Sequence, residues 1–303
     1  MTAIAPEAAP AAKRTRRKQH LRWSFSLVLA ILLLVGVAAL VIITPMLSGY
    51  APLKQNLGAG LAPPFSEAMG RFYVFGTDNL GRDILSRVAL AGRVSILISL
   101  SAVLISMVIG VVLGLIAGYF RGWTESVIMG IADLQLSIPR VLLLIAVTAV
   151  LGSSPMLLTV MLGLTSWVAY GRVARAMALS LREREFVLSA ITQGARPVWN
   201  IRKHLLPNVL PQMVIVGSFE LGQVIVLEAS LSYLGLGIQP PLPSWGRMVS
   251  DGQNYIGLNP WLILIPGIAM FMLVAGVQFL SQSFTTEGDI EFDVASKIKT
   301  PGR

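Results

Sequence analysis

Asp133, Arg140, Glu220 and Glu228 are ionisable side chains set among otherwise apolar residues. A charge at the centre of a bilayer costs about 2.5–3.5 kcal/mol even on a lenient insertion scale, so each must face a cavity or a partner. Glu220 and Glu228 fall about 80° apart around a helix, so both can point into one interior sector. With Asp133 they are candidates for the lining of a translocation path. Bonding to neighbouring helices or a position at the interface is the alternative, and the residues alone leave both open. Asp133 and Arg140 share a helix face but would lie about 10 Å apart along a straight axis, too far to pair directly. Pro139 between them disturbs even that geometry.

Other chemistry is harder to find. There is no H-E-x-x-H, no G-x-S-x-G and no cysteine, and the two histidines, His20 and His204, are isolated. A phosphate cradle needs Gly-Lys before Ser or Thr. The lysines at 13, 18, 54, 203, 297 and 299 all lack a preceding glycine. The chain is expected to be no enzyme and to bind no cofactor or metal. If it works uphill, the energy comes from ions moving through its own spans or from a separate ATPase.

Composition says which elements position these charges. Hydrophobic residues make up 54% and charged residues 13%, and the mean hydropathy is +0.72, which places the chain among all-α polytopic membrane proteins. Six spans are expected at 25–47, 94–118, 126–151, 156–178, 209–234 and 260–283. The net charge of +9 is unevenly placed. Lys13, Arg14, Arg16, Arg17, Lys18 and Arg22 crowd residues 1–24, and a second basic stretch covers 171–208, whereas 236–259 holds only Arg247 and Asp251. That alternation follows the positive-inside rule and argues against nucleic acid as partner. Both termini are then cytoplasmic, with a basic tail at 1–24 and a second tail at 284–303. The apolar run from Phe25 is too long for a signal-peptide core and reads as a retained first span.

Residues 94–283 form the core transmembrane region, and 48–93 an extracytoplasmic loop. Within that loop, Ile84, Leu85, Val88 and Ala91 recur at helical spacing opposite Arg82, Asp83, Ser86 and Arg87. This predicts a short amphipathic helix lying on the membrane surface. Gly110, Gly114 and Gly118 recur every fourth residue on one face, the pattern that lets helix backbones approach closely.

The polar segment 182–208 stands between two apolar spans. Residues 186–193 have helical periodicity, Gly194 breaks the backbone, and Pro197 suits the first turn of a second helix. Trp199, Ile201, Leu205 and Leu206 recur until Pro207, which is expected to end it. Two short helices joined near Gly194 make a compact projection able to enter a groove. A hairpin held on the inner leaflet by anionic lipid is the alternative.

At this segment the chain resembles the inner-membrane permeases of ATP-binding-cassette importers. Their signature is E-A-A, three residues, Gly, nine residues, Ile, one residue, Leu-Pro. Gly194 and Leu206-Pro207 meet the spacing in full, with Ala190 as the second alanine. Leu188 replaces the glutamate, Ser189 the first alanine and His204 the isoleucine. Gly76-Thr77-Asp78 with Gly81-Arg82-Asp83 is similar to the entry of the second span in the second permease of dipeptide, oligopeptide and nickel importers. Asp133 followed by Ile138-Pro139 resembles their third span. The stretch Glu228 to Gly237, with Gln239-Pro240-Pro241 and Pro243-Ser244-Trp245-Gly246, resembles their most specific motif. The similarity covers about residues 70–280, while Ser281 to Lys299 departs from the family's usual ending.

The resemblance implies a type I importer permease, one half of a path for peptides. Its partners would be a homologous second permease, two ATPase subunits holding ATP and Mg, an extracytoplasmic binding protein and membrane lipid. The coupling residues would be Leu188, Ser189, Ala190, Gly194, Arg202, Lys203, His204, Leu206 and Pro207. Pro240, Pro241 and Trp245 are candidates for contact with the binding protein, unless Trp245 is an interfacial anchor. Nickel or another small solute is the alternative cargo. An ion-coupled secondary transporter is the alternative from a different class, and would show an inverted repeat.

Overall fold

A computed structural model describes residues 25–298 apart from Ser48 and Tyr50, with the backbone alone at Leu47 and from 284 onward. The basic tail expected at 1–24 lies outside the described residues, as do 299–303. Helix α1 (Phe25–Leu47) is followed by a small hairpin of β1 (Ser66–Ala68) and β2 (Arg71–Tyr73), antiparallel with Glu67 opposite Phe72. Next come α2 (Ile84–Phe120), α3 (Gly122–Ser137), α4 (Arg140–Leu151) and α5 (Pro155–Arg182). Two short helices, α6 (Glu185–Thr192) and α7 (Pro197–Asn200), precede α8 (Leu206–Tyr233), then α9 (Trp245–Gly252) and α10 (Trp261–Ile298).

Local chemistry marks the starts. Asp83 caps α2 by accepting from the Ser86 amide at 2.8 Å, Ser154 caps α5 just before Pro155, and Ser244 caps α9. α1, α2, α5, the α7–α8 rod and α10 are each long and apolar enough to cross a membrane. The third expected span is not one rod. α3 and α4 meet at 84°, at the break where Ile138 is extended ahead of Pro139. The residue before a proline is pushed out of the helical region, and proline cannot donate back into a preceding turn.

The surface helix expected at 82–92 does not exist as a separate element. Those residues are the first turns of α2, and their apolar face packs on protein: Ile84, Val88 and Ala91 are fully buried with Trp245, Val41 and Leu273. The polar face is occupied as well. Asp78 accepts from the amides of Leu80 and Arg82 at 2.9 Å each, from Arg82 Nε at 2.7 Å, and from the buried guanidinium of Arg87. Arg82 and Arg87 thus share one carboxylate within the protein rather than turning to a headgroup layer.

The main core lies where α2 crosses α5 and α8, around Val103, Val111, Leu115, Leu162, Tyr170, Ala174 and Met213. The glycine stripe faces α5, as its spacing predicts. A β-carbon on Gly110 would lie 2.6 Å from Tyr170 Cβ, one on Gly114 2.7 Å from Ala174 Cβ, and one on Gly118 2.6 Å from Ala178 Cβ. Backbone carbonyls of α5 are also in the way, so no side-chain movement makes room. Gly114→Val should therefore force the two helices apart at a cost of about 1–3 kcal/mol or more. Thermal unfolding of the purified protein should show a lowered midpoint, while Val112→Ala on the exposed face should leave it unchanged.

Candidate coupling surface and intramembrane polar sites

The segment 182–208 folds as two helices around Gly194, which adopts φ +81° with nothing near its missing β-carbon. Conformation rather than space demands glycine there. Val187, Asn200 and Leu205 are fully buried and root the projection in the bundle. Asn200 Nδ2 donates to the Tyr119 hydroxyl at 3.3 Å, and the Arg182 guanidinium lies over the Tyr119 ring at 5.5 Å. Arg121 on the α2–α3 turn donates to Glu183 at 2.7 Å.

The outward side is apolar rimmed with charge. Phe186, Leu188, Ile191, Val198 and Trp199 are exposed, Trp199 by 50% and Val198 by 65%. His204 stands between Phe186 and Trp199, its ring 5.6 Å and 5.2 Å from theirs. Arg184, Arg196, Arg202 and Lys203 are exposed around this patch. Ser189 is exposed and bonded to Gln193 within α6, and Ala190 is half-buried beneath it. The sequence reading took in Leu188, Arg202, Lys203 and His204 as coupling residues but neither aromatic wall, Trp199 or Phe186. A single aromatic residue among charges was the only signal for Phe186.

Pro207 does not end the second helix. Residues Ile201–Leu205 widen into a π turn, in which the Leu206 amide bonds the Ile201 carbonyl, and the chain continues into α8. Pro207 has no amide hydrogen to give, and its ring would strike the carbonyl one turn back in a regular helix. The wider turn removes both conflicts without breaking the rod. Leu206 and Pro207 therefore join the projection to α8.

The intramembrane charges have separate partners. Asp133 on α3 accepts from Arg172 on α5 at 2.6 Å, beside Glu125, which accepts from Arg175 Nε at 2.6 Å. Both acids border an open pocket of about 610 Å³. Arg140, at the start of α4, meets Glu220 of α8 at 3.4 Å, with both side chains partly exposed. Glu228 is different. It is 0% exposed, accepts from Ser232 Oγ at 2.7 Å, and Ser232 in turn accepts from the Ile238 amide at 3.2 Å. A side chain sealed inside the bundle lines no path in this conformation, and its partner Ser232 lies one turn on along the same helix.

The loop 235–259 also departs from expectation. Trp245 is 1% exposed, and its Nε1 donates to the Val88 carbonyl at 3.0 Å. Its ring fills the notch left by Gly92, where a β-carbon would lie 2.7 Å from the indole. It is neither a contact surface nor an interfacial anchor, because α9 folds inward against α2, α8 and α10. Pro240 and Pro241 stay exposed, on the rim of an open pocket of about 590 Å³ with Asn79, Arg82 and Asn254.

Five membrane-length helices, a bent sixth pair and a rooted projection make this a multi-pass membrane transport subunit. Residues 110–285 match the model of the family described as "Binding-protein-dependent transport system inner membrane component", and the chain belongs to that family. It is 39% identical over 259 residues to the oligopeptide transport system permease protein OppC of Escherichia coli K12, covering 86% of this chain and 83% of that one. It is 33% identical over 253 residues to the dipeptide transport system permease protein DppC of Alkalihalophilus pseudofirmus, covering 84% and 82%. Among solved structures, an inward-facing form of the MetNI methionine ABC transporter matches with a TM-score of 0.55 at 18% identity, over 67% of this chain and 97% of that one. The fold is that of an ABC importer permease.

Trp245→Ala should empty a notch shared by α1, α2 and α9 and remove the indole N–H that the Val88 carbonyl accepts in addition to its helical bond. Large-to-small changes of this kind cost about 3–5 kcal/mol. The purified protein should unfold at a clearly lower temperature. An unchanged midpoint would show that α9 is not held by this side chain.

Proposed function

We propose that the chain is one permease subunit of an ATP-driven peptide importer. It pairs with a homologous permease and two ATPase subunits, and receives peptide from an extracytoplasmic binding protein. Both termini lie in the cytoplasm, so the projection at 185–204 faces the ATPases. ATP and Mg are bound and hydrolysed on those subunits, not on this chain. The peptide assignment is supported by the two permease relatives named above, whose names specify oligopeptide and dipeptide transport.

One observation carries the coupling assignment: an exposed apolar patch, rimmed by arginines, stands on anchors buried in the bundle. Phe186, Leu188, Ile191, Val198 and Trp199 together with His204 supply a surface that excludes water against a partner cleft. Arg202 and Lys203 supply the charge at its rim. No glutamate stands at position 188, so the seat depends on apolar complementarity rather than on an acidic contact there. Because α7 continues through the π turn into α8, displacement of the patch tilts the helix that carries Glu220 and Glu228. The open pocket beside Pro240 and Pro241 faces outward in this arrangement and is where the binding protein would sit, with the prolines rather than Trp245 as its contact.

The reading is tested by uptake of a labelled dipeptide into vesicles holding both permeases, the ATPases and the binding protein. Uptake should require ATP and the binding protein. Accumulation driven by an ion gradient without ATP would favour a secondary transporter instead. Trp199→Glu should weaken co-purification of the ATPases while membrane insertion is unaltered, since a buried charge replaces an apolar contact. Gly194→Val forces a β-branched residue to a positive φ, at about 1–2 kcal/mol or more. It should lower uptake more than ATP hydrolysis, and equal loss of the two would count against a coupling role.

A further inference from the structure

The Arg140–Glu220 pair is the longest of the ion pairs among the described residues. Glu220 lies near the middle of α8, and Arg140 is the first residue of α4, just past the 84° bend. One guanidinium nitrogen reaches one carboxylate oxygen at 3.4 Å, and neither group has another hydrogen bond among the described residues. By comparison, Arg82 and Asp78 meet at 2.7 Å within a set of four donors. A guanidinium has five donors and a carboxylate room for several, so both halves of the pair have unused capacity.

Each half also has a second group of matching kind nearby. The free amides of the first turn of α4 begin at Arg140, and a helix N-terminus favours negative charge. On the other side, the Tyr170 hydroxyl is fully buried and lies 3.5 Å from where a β-carbon would stand on Gly217. Gly217 is one turn before Glu220 on α8. The element carrying Arg140 is also the least tied down. α4 packs chiefly on α5, burying Leu144 and Thr148, while Val141, Leu142, Val150 and Leu151 are exposed.

We infer that Arg140 and Glu220 form an exchangeable ion pair that receives the two charged termini of a peptide within the membrane. This rests on the peptide-import reading above. The peptide α-carboxylate takes the Arg140 guanidinium and the α4 N-terminus, and the α-ammonium takes Glu220 with the Tyr170 hydroxyl as a further acceptor. In a dipeptide the two charged groups are roughly 6 Å apart, so the pair must part to admit it. The bend at Pro139 is where α4 swings to do so. Every charge keeps a counter-charge in both states: the protein pair closes on itself when empty and on the zwitterion when loaded. A zwitterion thus passes the low-dielectric centre without stranding a lone charge on either side.

Two variants that strand no charge test this in vesicles holding the complete transporter with its binding protein saturated by dipeptide. Arg140→Gln with Glu220→Gln makes the pair neutral, and Arg140→Glu with Glu220→Arg reverses it. Both should assemble with the ATPases and hydrolyse ATP as the wild type does. Both should take up dipeptide about tenfold more slowly or worse, the loss expected for one or more charge-assisted contacts. A pair that merely fastens α4 to α8 would be restored by the reversal, so wild-type uptake by the reversed variant overturns the inference. Wild-type uptake by the neutral variant does the same, as does failure of both variants to assemble. A wild-type complex that imports no dipeptide would instead overturn the assignment of peptide as cargo.

Discussion

The approach of α2 to α5 over Gly110, Gly114 and Gly118 is the constraint on which the rest of the bundle depends. In hydrocarbon no hydrophobic force drives helices together, so association relies on close van der Waals contact. With no β-carbons on α2 along this seam, the backbone of α5 comes into direct contact with it. α8 then packs on the pair through Val209, Met213 and Val224. The docking projection is anchored at the end of the same seam, since Tyr119 bonds Asn200 immediately after Gly118. At the other end α2 extends into the Asp78 knot and the Trp245 notch. A change in the α2–α5 spacing would therefore reach the projection, the loop 235–259 and the intramembrane charges together.

Charge balance is the second organising rule. Within the bundle Arg87 is matched to Asp78, Arg175 to Glu125, Arg172 to Asp133 and Arg140 to Glu220. All four join different helices or a loop to a helix, so they hold positions as well as balancing charge. They differ in how closely they are made. The Asp78 knot is buried and saturated with donors, which suits a fixed point, whereas the Arg140–Glu220 contact is long, single and partly exposed.

Much of the architecture was legible in the sequence because it depends on local properties. Run length placed the spans, the four-residue glycine spacing gave the α2–α5 face, and Gly194 with Pro197 gave the two helices of the projection. What escaped depends on distant residues. Trp245 between prolines reads as an exposed aromatic until Gly92, far earlier in the chain, provides its notch. The amphipathic pattern at 82–92 reads as a surface helix until Asp78 engages both Arg82 and Arg87. Pro207 reads as a terminator, and the π turn that absorbs it leaves no compositional mark. Of the candidate path residues, Asp133 borders an open pocket and Glu220 is partly exposed while Glu228 is enclosed, a difference that helical phase alone could not give because Glu220 and Glu228 share one helical sector.

The π turn at Ile201–Leu205 has a consequence for phase. One extra residue in a helical turn rotates everything beyond it by about 100° relative to everything before it. Trp199 and Glu220 therefore owe their relative direction to that single surplus residue, and not to the contacts either one makes. Loss of Ile201 alone would leave every docking and every intramembrane side chain chemically intact, yet would turn one set away from the other. The length of this turn is thus an angular specification, written as a residue count and invisible to any comparison of side-chain chemistry.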